Sequence, residues 1–179
     1  MSAPPSGLLD YYLPRYTFAH RYRTVVHCGD IGRVYDIARN VDLSQSRAIV
    51  LLFRLRGLPR GCWRARAFCS AMHWTELAQR RPAEFLVAYW RGGDGNRIRR
   101  IDHAAQFRDA LPGASQKVGF AFRFRQLDAG RVEVATETRV LCIGARSRLA
   151  FFGYWWLIKP FSGLVRKEIL RLIRREAES

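Results

Sequence analysis

The strictest constraint in this sequence is a pair of alternating runs joined by a tight turn. In Lys117 to Leu127, the residues Val118, Phe120, Phe122 and Phe124 alternate with Gly119, Ala121, Arg123 and Arg125. After Asp128-Ala129-Gly130, the residues Val132, Val134, Thr136, Thr138, Val140 and Cys142 alternate with Glu133, Ala135, Glu137, Arg139 and Leu141. Successive strand side chains point to opposite faces, so the two runs make an antiparallel hairpin with one core face and one wet face. Glu137 and Arg139 fall on the wet face beside Arg123 and Arg125, where ion pairs contribute only about 0–1 kcal/mol.

The chain after this hairpin reads as helix from Ser147 to about Ala177. Thirty-one residues at 1.5 Å each would reach about 46 Å, longer than the roughly 40 Å width of a domain of this size. Pro160, with Gly163 nearby, is expected to kink or break the helix. Beyond it, Val165, Ile169, Leu172 and Ile173 form an apolar stripe, and Arg166, Lys167, Arg171, Arg174 and Arg175 are read as facing water.

Before the hairpin the pattern is less regular. Residues 1–16, with Pro4, Pro5, Gly7 and Pro14, read as a lead-in segment without an element, and 17–179 as a single domain. Thr17 to Cys28 alternates as a strand with Phe18, His20, Tyr22, Thr24 and Val26 on its inward face. Asp30 caps a short amphipathic helix through Ile31, Val34, Tyr35 and Ala38. Ser44 or Ser46 caps a second helix that Gly57 and Pro59 stop. His73–Gln79 and Glu84–Arg91 form a hairpin about Pro82, and residues 92–96 mark the next reversal. A short strand follows near Arg99–His103, and Ala104–Leu111 is either a brief helix or a loop.

Composition narrows the function. The net charge of +16 comes from 28 Arg and 3 Lys against 15 acidic residues, spread without a run of five like charges. A basic tail for nucleic acid is therefore absent, and direct nucleic-acid binding is not expected. Cys28, Cys62, Cys69 and Cys142 are irregularly spaced and read as reduced core residues rather than a metal clip. No basic and apolar leader occurs in residues 1–16, and the apolar run Leu149–Ile158 is too short to span a bilayer, so a cytoplasmic protein is expected. No G-x-S-x-G, H-E-x-x-H, G-x-x-x-x-G-K or G-x-G-x-x-G is present, and no cofactor or metal is expected.

Strand, two short helices, antiparallel strands and one long terminal helix is the element order of the helix-grip fold, an α+β architecture. Leu13-Pro14, Leu55-Arg56-Gly57-Leu58-Pro59, Thr136-Glu137-Thr138-Arg139-Val140, Tyr154-Trp155 and Pro160-Phe161-Ser162-Gly163-Leu164-Val165-Arg166 carry a resemblance over nearly the whole chain. The sequence resembles the SRPBCC superfamily of START-like and polyketide cyclase- and dehydratase-related proteins, in an uncharacterised bacterial branch. The resemblance implies a curved antiparallel sheet around a long helix, with a cavity between them for a lipid or another hydrophobic small molecule. It implies no single reaction, because a fold does not fix a chemistry.

Within that expectation, Phe120, Phe122, Phe124, Val134, Thr136 and Thr138 on the sheet and Phe152 and Trp155 on the helix are candidate ligand-binding residues. The same stripe also suits a plain core. His20 and Tyr22 are the candidate acid and base of an alternative, a cofactor-free enzyme of cyclase or dehydratase type, although an inward His is more often a structural one bonded to a backbone carbonyl. A third reading uses the aromatic segment Phe151–Trp156 and the positive charge to dock on a membrane surface.

Overall fold

The computed structural model describes residues 7–55, 57, 63–92, 97–109 and 113–179. The chain runs α1 (Leu8–Tyr12), β1 (Phe18–His27), α2 (Ile31–Asn40), a 3-10 turn at Leu43–Gln45, α3 (Arg47–Leu55) and α4 (Ala65–Ala71). It continues through β2 (Thr75–Arg80), β3 (Glu84–Gly92), β4 (Ile98–Arg99), α5 (Ala104–Asp109), β5 (Ala114–Asp128), β6 (Arg131–Cys142) and α6 (Ala145–Ala177). The strands form one curved antiparallel sheet in the order β1-β6-β5-β3-β2, with β4 on β3. Register shifts in β2, β3 and β5 supply bulges, which bend a sheet locally. A curved sheet with α6 lying across its inner face is the helix-grip arrangement.

Alternation sorts the faces as expected. Phe120 pairs with Thr138, Phe122 with Thr136 and Phe124 with Val134, while His20, Tyr22 and Thr24 of β1 pair with the same three β6 residues from the other side. Phe124, Val132 and Val134 are buried in one cluster with Leu170 and Ile173 of α6. The Asp30 carboxylate accepts from the Arg33 amide and caps α2, and Ser46 accepts from the Ile49 amide to cap α3. The Ser46 hydroxyl also donates to Glu168 at 2.6 Å and ties α3 to α6. The expected reversal at 92–96, the Pro59 stop and Cys62 lie wholly or partly outside the described residues. The stretch before β2, which shows no period, contains α4, with Phe68 buried.

Helix α6 runs unbroken through Pro160. Its seat on the sheet is set at Gly163, where an added Cβ would lie 2.5 Å from the Tyr22 hydroxyl of β1. The N-terminal half of the helix rests on the same strand through aromatic contacts, with Phe18 to Phe151 at 5.4 Å and Phe18 to Trp155 at 4.9 Å between ring centroids. The helix therefore leans toward the β1 edge, and its flank toward β3 stands off the sheet.

The outer face departs from expectation. Glu137 and Arg139 do lie on it, yet they are only 6% and 3% exposed. The reason is α1, in the lead-in where no element was expected. Leu8, Leu9 and Leu13 pack with Leu86, Ala88, Ala121 and Phe107 into a second core, and Gly119 admits Leu9 so closely that an added Cβ would meet it at 2.8 Å. The small outer residues of β5 are thus a docking groove for α1. Asp10 comes down with it, and Arg139 binds Asp10 at 2.5 Å, Glu137 at 2.7 Å and the Leu13 carbonyl at 3.2 Å. Arg21 holds Glu137 at 2.9 Å and Arg123 holds Asp10 at 3.1 Å. Arg139→Met would leave Glu137 to Arg21 alone, Asp10 to Arg123 alone and the buried Leu13 carbonyl without its donor, so it should cost about 2–4 kcal/mol in urea unfolding. A loss under about 1 kcal/mol would class the network with exposed ion pairs.

Candidate functional site

Where α6 stands away from the sheet, the structure holds a partly open cavity of about 730 Å³. Its floor is the inner face of β3 and β5 with Thr138 and Val140 of β6, one wall is α6 from Phe151 to Ile169, and α3 and α4 close it with Phe53, Phe68 and Met72. Aromatic rings dominate the lining. Trp74 stacks on Phe120 at 4.7 Å and on Tyr89 at 5.6 Å, and Phe53 stacks on Phe68 at 4.7 Å.

Four buried polar atoms on this lining have no hydrogen-bond partner among the described residues: Trp74 Nε1, Arg91 Nε, Thr138 Oγ1 and Arg166 Nε. Arg166 is the most consequential. It is 7% exposed, its Nη1 donates to Thr136 Oγ1 at 2.6 Å, and its Cζ lies 4.8 Å from the Phe120 ring centroid. Burial pushes its pKa down to about 10, which still leaves the guanidinium charged at neutral pH. Tyr89 cannot act as its counter-charge, because burial pushes the phenol's pKa up and keeps it neutral. Glu76 is the carboxylate on the lining, and it is held by Arg39 at 2.5 Å.

The structure brings together four of the eight residues expected to meet a ligand: Phe120, Phe122, Thr138 and Trp155 line the cavity. Phe124 and Val134 lie farther along the strands, packed under the C-terminal half of α6. Thr136 is taken up by Arg166, and Phe152 is exposed beside Phe18 and Trp156. His20 and Tyr22 face inward, but they sit under the β1 side of α6 and do not line the cavity. The His20 ring meets Trp155 edge-on at 4.6 Å, and Tyr22 abuts Gly163.

Sequence reasoning missed Trp74, Tyr89, Arg91 and Arg166. The placement of Arg166 in water is corrected by its burial against Phe120. Its position was readable, since it falls four residues after Ser162, three before Ile169 and seven before Ile173, within the apolar stripe. Tyr89 and Arg91 continue the inner alternation of Phe85 and Val87, but Leu86 and Ala88 on the outer face are also buried, so the contrast between faces is weak. Among the described residues, no three His, Cys, Asp or Glu side chains form a potential metal site, and no helix is long and apolar enough to cross a membrane.

No family model and no curated protein matches this chain. Among solved structures, it is similar to the hypothetical protein jhp0584 from Helicobacter pylori, at 10% identity and a TM-score of 0.46, with 99% of this chain and 98% of that chain covered. It is also similar to the Zhui aromatase/cyclase from Streptomyces sp. R1128, at 12% identity and a TM-score of 0.36, with 90% and 93% covered.

The surroundings of His20 predict a pH dependence of stability. Burial first, then the charges of Lys159 and Arg166, holds its imidazole below the ordinary value of 6.5. A His with a lowered folded pKa gains a proton on unfolding, so its effect is absent above pH 6.5 and destabilises the fold as pH falls through that value toward the folded pKa. Between about pH 7.5 and 5.5, the urea midpoint of the native protein should fall more than that of His20→Gln. Equal slopes for the two proteins would show that His20 titrates alike in both states.

Proposed function

We propose that this chain is an SRPBCC-type protein of the cytoplasm that binds a hydrophobic small molecule or lipid in the cavity between the sheet and α6. The observation that carries this reading is the cavity itself. Small-molecule sites span about 300–1,000 Å³ and are mostly apolar with a few polar groups, which is the character of this one. The hollow lies beside a well-packed region, where Leu170, Leu172 and Ile173 fill the same face of the sheet. An enzymatic role for His20 and Tyr22 has less support, because general acid–base chemistry needs the substrate within hydrogen-bond reach and neither side chain lines the cavity. The neutral dye N-phenyl-1-naphthylamine should brighten on binding the native protein. Val165→Trp, placed on the cavity wall, should weaken that binding at least about tenfold while the fold persists. Absence of dye binding by the native protein, or equal binding by the folded variant, would overturn the reading.

A second reading concerns the exposed side of α6. Leu149 is 78% exposed and Trp156 62%, with Phe152, Phe161 and Leu164 also in solvent. Arg146, Arg148 and Lys159 stand among them, and the Lys159 ammonium lies 5.3 Å from the Trp156 ring centroid. Apolar and aromatic residues interleaved with cations suit an anionic bilayer surface. The protein should float with vesicles containing about one-third phosphatidylglycerol and stay behind with phosphatidylcholine alone, and the double change Phe152→Ser and Trp156→Ser should abolish flotation. Flotation that ignores both the lipid charge and the substitutions would remove this surface from consideration.

A further inference from the structure

The cavity is apolar in bulk but not in charge. Its lining carries five arginines, Arg39, Arg66, Arg91, Arg100 and Arg166, against the single carboxylate of Glu76. Arg39 is engaged by Glu76, Arg66 and Arg100 are exposed, and Arg91 is only half-buried, its Cζ 6.0 Å from the Tyr89 ring centroid. Arg166 is different, because it is nine-tenths buried and has no carboxylate within ion-pair distance among the described residues. One of its donors is committed to Thr136, and its Nε has no partner among the described residues. Thr138, whose hydroxyl also lacks a partner among the described residues, is the direct β6 neighbour of Phe120, the ring on which the guanidinium lies.

Occupants differ sharply in what they would do to this charge. A neutral apolar molecule would seal the guanidinium away from solvent with no counter-charge, which is the costly arrangement for a buried ion. A cationic one would add a like charge to a wall already rich in Arg. An anion meets a planar fork of N–H donors, the geometry that suits a carboxylate, on the same wall as the Thr138 hydroxyl. One fully buried cation matches one negative charge.

We propose that the cavity accepts an apolar molecule carrying a single carboxylate, and that Arg166 and the Thr138 hydroxyl receive that group while Trp74, Tyr89 and Phe120 pack its apolar part. This rests on the reading of the cavity as a ligand site and specifies the chemistry of its occupant. The acidic end lies deep, at the boundary where α6 closes onto the sheet, and the apolar body extends toward α3 and α4.

Displacement of N-phenyl-1-naphthylamine by three molecules with one chain length and different heads tests it: dodecanoate, dodecanol and dodecyl phosphate. In the native protein dodecanoate should displace the dye at about tenfold lower concentration than dodecanol, the size of one charge-assisted interaction. Arg166→Gln should bring the two within about threefold, and Thr138→Val, which leaves Arg166 in place, should weaken dodecanoate while sparing dodecanol. Dodecanol equal to or better than dodecanoate in the native protein would overturn the proposal and leave the cavity reading intact. A clear preference for dodecyl phosphate would overturn the single-charge assignment, and a preference for dodecanoate that survives Arg166→Gln would overturn the role of Arg166. Native protein that binds neither dye nor any of the three would overturn the cavity reading itself. If Arg166→Gln does not fold, the native comparison and Thr138→Val still decide.

Discussion

The contact between Gly163 of α6 and Tyr22 of β1 governs the rest of the structure. A glycine at the crossing lets the helix backbone come down onto one edge of a curved sheet, and any Cβ there would collide with the phenol oxygen at 2.5 Å. Once the helix is drawn toward β1, it cannot also cover β3. Its C-terminal half can still fill the sheet, because α2 brings Val34, Tyr35 and Ala38 into the same core. Its N-terminal half meets β1 through Phe18, His20 and Trp155, and toward β3 it leaves the hollow that α3 and α4 enclose. The cavity is the geometric consequence of an off-centre helix, not of a missing side chain.

Two buried arginines on adjacent strands and helix show how the same residue type serves different ends. Arg139 is surrounded by Asp10, Glu137 and the Leu13 carbonyl, so its charge is balanced within the fold and its role is to fasten α1 to the sheet. Arg166 is as deeply buried but faces a hydroxyl and two aromatic rings, none of which carries a negative charge. Desolvating an ion costs several kcal/mol unless opposite charge and hydrogen bonds return it. The first site is closed electrostatically, and the second is closed only when something else supplies the anion.

Much of the fold was legible because it is written in local periods. Alternation placed Phe120, Phe122, Thr136 and Thr138 on the inner face, and type and position marked Asp30 as one cap and Ser44 or Ser46 as the next, of which Ser46 serves. What period two cannot express is the lateral position of a residue across the sheet. His20, Thr138 and Phe120 share one row of the inner face, yet only the last two reach the cavity, because the helix lies over the first. Contacts between distant parts of the chain were equally silent. Asp10 meets Arg139 across 129 residues, and nothing near either residue announces the other. Arg166 was hidden by its type alone: its spacing belonged to the buried stripe, but a charged residue on a basic helix is ordinarily assigned to water.

The exposed and enclosed halves of α6 bear on one another. Its N-terminal turns carry Phe151, Tyr154 and Trp155 to the cavity, while the neighbouring Phe152 and Trp156 are exposed, so one stretch of helix lines the hollow and presents an apolar outer surface. These turns are held to the sheet chiefly by rings on Phe18 and His20, whereas the C-terminal turns are locked into the packed core. Opening free energy follows the density of buried contacts, so lifting the aromatic half should cost less than lifting the C-terminal turns. An entrance at that half would let an apolar chain pass between rings and leave its acidic head at Arg166, where the loose half of the helix meets the fixed one.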